Sequence, residues 1–185
     1  VLFLTILPKV DGERRTEAAR LALRDRDYQR TIRLAMEAIG EEQANPYPWF
    51  YLGEAHRITA LRLPVPALQE NHFRRAISAY EQGLKRLPHD HNFLIRLAQS
   101  LDGIGKYDEA EAAYQEALTW DPNLGAVHAY YAAHLKLRGH TEAAEEASRR
   151  ARALRASGEI GQAELNTIME RRRIEDEIPT QVPQK

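Results

Sequence analysis

The sequence contains no cysteine, which excludes a disulfide framework, a thiolate zinc site and a cysteine nucleophile together. It also lacks an excess of either charge: 26 Lys and Arg stand against 27 Asp and Glu for a formal net charge of -1. No overall field therefore favours nucleic acid or an anionic membrane surface. No uninterrupted apolar run approaches the roughly 20 residues that a bilayer span requires. A nucleophile-elbow serine, a phosphate-binding loop and a dinucleotide-binding glycine pattern are likewise missing, and no residue set implies a cofactor. Seven histidines are present, but His89 and His91 around Asp90 could supply at most two or three ligands from one turn, short of a zinc site. His56 is expected to be a hydrogen-bonded packing residue, and Glu41-Glu42 and Glu145-Glu146 read as helix surface. Catalysis is not expected. What remains is a chain of 185 residues, 43% hydrophobic and 29% charged, long enough for one ordinary globular core.

Self-comparison at a fixed offset organises that core. Ala76, Tyr80, Leu84 and Pro88 recur at a step of 34 as Ala110, Tyr114, Leu118 and Pro122, and the same step carries Gly105 to Gly139 and Ala117 to Ala151. Within 91–124, Leu94, Leu97, Ala98 and Leu101 occupy i, i+3, i+4 and i+7, one face of a helix. After Gly103, Gly105 and Lys106, a second stripe follows at Ala110, Tyr114, Ala117 and Leu118. Each unit thus predicts two amphipathic helices joined by a glycine-containing turn. Small residues at the crossing permit close approach, and Asp121-Pro122 ends the pair.

Trp49, Leu52 and Gly53, then Ala76, Tyr80 and Pro88, and the run Gly105-Lys106-Tyr107-Asp108-Glu109-Ala110 resemble the tetratricopeptide repeat signature. The resemblance covers 12–158 in four units, 12–45, 46–90, 91–124 and 125–158. It implies an all-α, right-handed solenoid of about four helical hairpins with a concave surface, a fold that serves many functions. The first unit departs from the pattern, with Ala18, Ala19 and Ala22 in its first helix, and the fourth has Ser148 where Tyr114 would fall. Residues 159–178 read as a capping helix with Leu165, Ile168 and Met169 inward, and 179–185 as a disordered tail. Ahead of the repeats, 1–11 begins Val-Leu-Phe-Leu-Thr-Ile-Leu and reaches Pro8, either the end of a membrane segment or an apolar packing arm.

The second unit is longer than the third: the interval from Leu94 to Ala110 is 16, and the matching one from Trp49 to Ala76 is 27, a difference of 11. Only Pro64-Val65-Pro66 breaks this stretch, which predicts two lengthened helices with the insert split about evenly. Ile58, Leu61, Leu63, Val65 and Leu68 near the tip are expected to cover one another.

The family geometry turns one stripe of each first helix toward the groove. Its members and near neighbours are Tyr47, Phe50, Tyr51, Glu54 and Arg57, then Asn92, Ile95, Arg96 and Gln99, then Tyr130 and Lys136. Aromatics, amides and charges together suit the gripping of a protein or peptide segment. The Lys/Asn clamp by which some relatives hold a terminal carboxylate is not visible, since Thr16, Arg20, Tyr51, Asn92 and Arg96 take those places. The expected function is a non-catalytic adaptor that binds another protein. The alternative, from a looser resemblance, is the soluble repeat tail of a bacterial O-antigen ligase- or polymerase-like membrane enzyme, with attachment through the N-terminal segment.

Overall fold

The computed structural model describes residues 2–156, 166 and 168–170. Its helices run α1 (Leu2–Arg24), α2 (Tyr28–Glu41), α3 (Tyr47–Arg62), α4 (Pro66–Leu84), α5 (His91–Gly103), α6 (Tyr107–Trp120), α7 (Gly125–Leu137) and α8 (Thr141–Ala153). Residues 166 and 168–170 are also helical, with Ile168 buried and Met169 exposed, and no strand occurs among the described residues. The expected cap and tail over 159–185 otherwise lie outside the described residues. No described helix is long and apolar enough to cross a membrane.

The chain divides into two compact units, Val1–Pro122 and Asn123–Lys185. In the first, α1 packs on α2, α3 on α4 and α5 on α6, and the hairpins join through α2 against α3 and α4 against α5. In the second, α7 packs on α8 around Ala132, Leu135, Ala144 and Ala147. The architecture is the all-α stack of hairpins that the repeat period predicts. Asp27 starts α2 by accepting a bond from the Arg30 amide at 3.0 Å. Asp90 starts α5 by accepting from the Asn92 and Phe93 amides, each cap satisfying donors that the helix itself leaves open. One difference lies at the start, where a single helix covers both the apolar opening and the first helix of the first repeat. Pro8 removes one internal bond, and the turns on either side carry the helix through it.

Small side chains at the crossings follow the period. Thr31, Ala76, Ala110 and Ala144 occupy equivalent positions, and all are buried. The hairpins interlock through glycines set against rings: a Cβ on Gly53 would stand 2.4 Å from Tyr80, and one on Gly83 would stand 2.0 Å from Phe93. Tyr80 and Phe93 are fully buried with Ala76 in a cluster that Trp49, Phe50, Leu84 and Leu97 flank.

The insertion is built as two lengthened helices, but unevenly. The end of α5 at Gly103, moved back by 45, falls at 58, and α3 continues four residues beyond it to Arg62. The start of α6 at Tyr107, moved back by 34, falls at 73, and α4 begins seven residues earlier at Pro66. At about 1.5 Å per residue the arms extend by roughly 6 and 10 Å. The tip covers itself only in part: Ile58, Leu61 and Leu63 are half-buried or at the margin of solvent, whereas Val65 and Leu68 are exposed. It is tied down by Gln69, whose amide donates to the Leu63 carbonyl, and by the Arg62 guanidinium 4.9 Å from the centre of the Tyr28 ring.

Three of the turns between paired helices use a left-handed residue, and the Pro64-containing turn of the insertion does not. Gly105 and Gly139 supply it at φ 76° and 79°, while the equivalent place in the first repeat holds Arg26 at φ 63°. A left-handed conformation costs a side-chain-bearing residue roughly 1–2 kcal/mol, and glycine's greater unfolded freedom returns part of that. Arg26→Gly should therefore stabilise the protein by up to about 1 kcal/mol. Thermal unfolding should record a rise of roughly 2–4 °C, and a fall would show that Arg26 contributes more than its backbone strain removes.

Candidate functional site

The first helices α3 and α5 bring together much of the expected groove stripe. Glu54 is its centre, accepting two bonds from Arg57, Nε to Oε1 at 2.9 Å and Nη2 to Oε2 at 3.1 Å. This fork-to-fork pairing is the strong geometry for an arginine and a carboxylate. The Tyr80 hydroxyl of α4 donates to Oε1 at 2.6 Å, and Arg96 Nε of α5 lies 3.5 Å from the same oxygen. Arg96 also donates from Nη1 to Gln99 Oε1 at 2.7 Å. In the next repeat, the Tyr114 hydroxyl lies 3.4 Å from Asp102 Oδ2.

The site is interior where the sequence reading expected surface. Glu54, Arg57, Ile95 and Gln99 are buried, as is Asp102. Phe50 is half-buried, with its ring centre 5.2 Å from that of Phe93 and 6.2 Å from that of Tyr80, so it belongs as much to the core as to a contact surface. The more accessible members are Tyr47, 53% exposed, Asn92, which is exposed, and Tyr51 and Arg96, which are half-buried. Tyr130 and Lys136 lie on α7 in the second unit, half-buried and exposed respectively. Tyr80 was legible only as a repeat position. Its phenol could have been flagged, because a buried tyrosine hydroxyl requires a partner.

Burial pushes the Glu54 carboxyl upward. The Arg57 and Arg96 charges, with the bonds from Arg57 and Tyr80, outweigh burial and hold the carboxyl at about 2. The Tyr80 hydroxyl moves the other way, raised well above its ordinary value by burial and then by the Glu54 charge.

Four of the histidines make side-chain contacts between helices or across turns. His89 Nδ1 lies 2.8 Å from Glu116 and His91 Nδ1 2.8 Å from Asp121. His56, at the place of Leu101 in the next repeat, is buried, with Nδ1 3.1 Å from Nδ1 of His72 on α4. No group of three or more metal-ligating side chains occurs among the described residues. Burial, then His72 and Arg75, push His56 down to about 4. A histidine whose folded value lies below its unfolded one is protonated first in the unfolded chain. Its contribution is therefore intact above about pH 6.5 and lost as pH falls toward 4. His56→Leu should shrink the loss of urea-unfolding free energy between pH 7 and 4.5 by on the order of 2 kcal/mol. An unchanged pH slope would assign that sensitivity elsewhere.

Stacked helical hairpins of this period define a tetratricopeptide-repeat fold. Residues 67–124 match the tetratricopeptide repeat family. The fold of the chain is similar to that of TTC0263, a thermophilic tetratricopeptide-repeat protein of Thermus thermophilus (TM-score 0.73, 14% identity, 86% of this chain and 82% of that one). It is also similar to MamA from Desulfovibrio magneticus RS-1 (TM-score 0.63, 16% identity, 90% and 97%). The structure described as MamA MSR-1 gives a TM-score of 0.61 at 22% identity, covering 78% and 76%. No curated protein matches the sequence.

Proposed function

We propose that this repeat protein is a non-catalytic scaffold that binds a segment of another protein along the first-helix face of its first unit. The observation that carries this reading is the division of labour on α3 and α5. Buried Glu54 holds Arg57 and draws in Arg96 from behind, while Tyr47, Tyr51 and Arg96 stay reachable. Amphipathic aromatic rings and an arginine already tethered by its neighbours lose little freedom on binding, and these residue types dominate interface energetics. A peptide lying across the stripe would stack on the tyrosines and offer carbonyl or carboxylate oxygens to Arg96.

Peptides selected from a random displayed library against the full chain test it. Tyr47→Ala combined with Tyr51→Ala should weaken the selected peptides at least about tenfold, a loss of roughly 1.4 kcal/mol, while the far-ultraviolet circular dichroism stays unchanged. Phe50→Ala is a poorer probe, because removing a ring that rests on Phe93 and Tyr80 also loosens the core. Undiminished affinity in the tyrosine variant would remove the proposal.

A further inference from the structure

The face of α5 opposite the polar network has a groove of its own. At about 100° per residue, Leu94, Leu97 and Leu101 fall on one side of α5, with Arg96 and Gln99 on the other. The leucines, with Leu84 of α4, floor a cavity of about 410 Å³ between α4 and α6. Its rim is acidic: Glu81 stands on α4, and Glu109 and Glu116 on α6. Across Tyr107–Trp120, α6 carries Asp108, Glu109, Glu111 and Glu116 and no lysine or arginine. Lys106 bonds to Glu109 at 2.6 Å and His89 to Glu116 at 2.8 Å, and the Glu81 carboxylate has no ion pair among the described residues.

The groove one repeat earlier does not share this acidity. The equivalent cavity one repeat earlier, about 350 Å³ between α2 and α4, has Met36 where Glu81 stands and Arg75 where Glu109 stands. At the His89 end of the acidic groove sits Trp120, 55% exposed, its ring stacked on His89 with centroids 4.1 Å apart. An exposed tryptophan beside an apolar trough and a one-signed rim is the combination on which interface anchors concentrate, and its free face suits a cation.

We infer that the groove between α4 and α6 is a second docking surface, separate from the first-helix face, and that its occupant is a basic amphipathic helix of another protein. Leucine-like side chains of that helix lie on Leu84 and Leu97, the half-buried members of the floor, beneath which Leu94 and Leu101 are buried. Its lysines and arginines meet Glu81, Glu109 and Glu116, and one basic side chain crosses Trp120. The inference does not depend on the tyrosine face.

Fluorescence anisotropy on the full chain tests it with three labelled peptides: a Leu/Lys helix of amphipathic period and about four turns, a scrambled peptide of the same composition, and a Leu/Glu counterpart. The Leu/Lys helix should bind at least tenfold more tightly than either of the others. Glu81→Lys with Glu116→Lys should weaken it at least tenfold and Trp120→Ala several-fold, with Tyr47→Ala within twofold of the parent. Should the charge-reversed protein fold poorly, Glu81→Gln with Glu116→Gln replaces it, with a several-fold loss expected. Absence of binding, equal affinity for the scrambled or Leu/Glu peptide, indifference to both glutamate pairs, or dependence on Tyr47 would each overturn the inference. So would a concentration-dependent self-association abolished by the glutamate changes, which would give the groove to a second copy of this chain.

Discussion

Glu54→Ala should destabilise the protein by about 3–5 kcal/mol, the usual consequence of removing one partner from a buried ion pair, with a melting temperature lower by on the order of 10 °C. The carboxylate is buried between two guanidiniums and a phenol. Its loss deprives all three of a partner, and Arg57 and Tyr80 are buried where water cannot readily substitute. Glu54→Gln, which keeps the shape, should fall between the alanine variant and the parent. The pH dependence identifies the charge as the cause. A carboxyl held at about 2 in the folded state, against an ordinary value near 4.3, contributes stability that is complete above the unfolded value and is lost as pH falls toward the folded one. The parent should therefore lose stability between about pH 4.5 and 2 more steeply than Glu54→Gln. Parallel curves, or an alanine variant within about 1 kcal/mol of the parent, would mean that the network is dispensable.

Gly83→Ala is the second large effect, because the added methyl would stand 2.0 Å from the Phe93 ring and 2.6 Å from its Cζ. Alanine normally favours a helix interior by about 1 kcal/mol, so propensity predicts stabilisation. Steric overlap with a fully buried ring predicts the reverse, at a cost of about 1–3 kcal/mol or more. Overlap should prevail, since Phe93 is enclosed by Tyr80, Ala76 and Phe50 and has no free direction to yield. The equivalent positions one repeat earlier carry Ala38 and Pro48, both buried, a larger residue facing a smaller one. Phe93→Val should accordingly tolerate Gly83→Ala, with a coupling of about 1–3 kcal/mol in a double-mutant cycle. Additive effects would refute the interlock.

The two results probe different parts of one arrangement, the glycine interlock holding α4 against α5 and the Glu54 network joining α3 to α4 and α5. The stripe containing Glu54 and Arg57 was legible from helical period alone, and so was its shared face with Phe50. That the same stripe would be covered was not. Tyr80 reaches Glu54 from the second helix of the same hairpin and Arg96 from the first helix of the next. A helical wheel records the direction of a side chain without recording what arrives from elsewhere to meet it. The insertion repeats this limit. Pro64-Val65-Pro66 marks the breaker, but the division into four and seven residues depends on how Arg62 and Gln69 fasten the tip.

The sequence by itself determined the hairpin period, the pairing of helices, the small residues at their crossings and the site of the insertion, because these follow from local spacing that returns once in every repeat. The tertiary structure alone decided which polar side chains became a buried network and which remained reachable. It also decided which leucines were left at the floor of an acid-rimmed groove. Burial is a property of neighbours brought from distant helices, and the free energy of a charge or an apolar face depends on those neighbours more than on its own place in the chain.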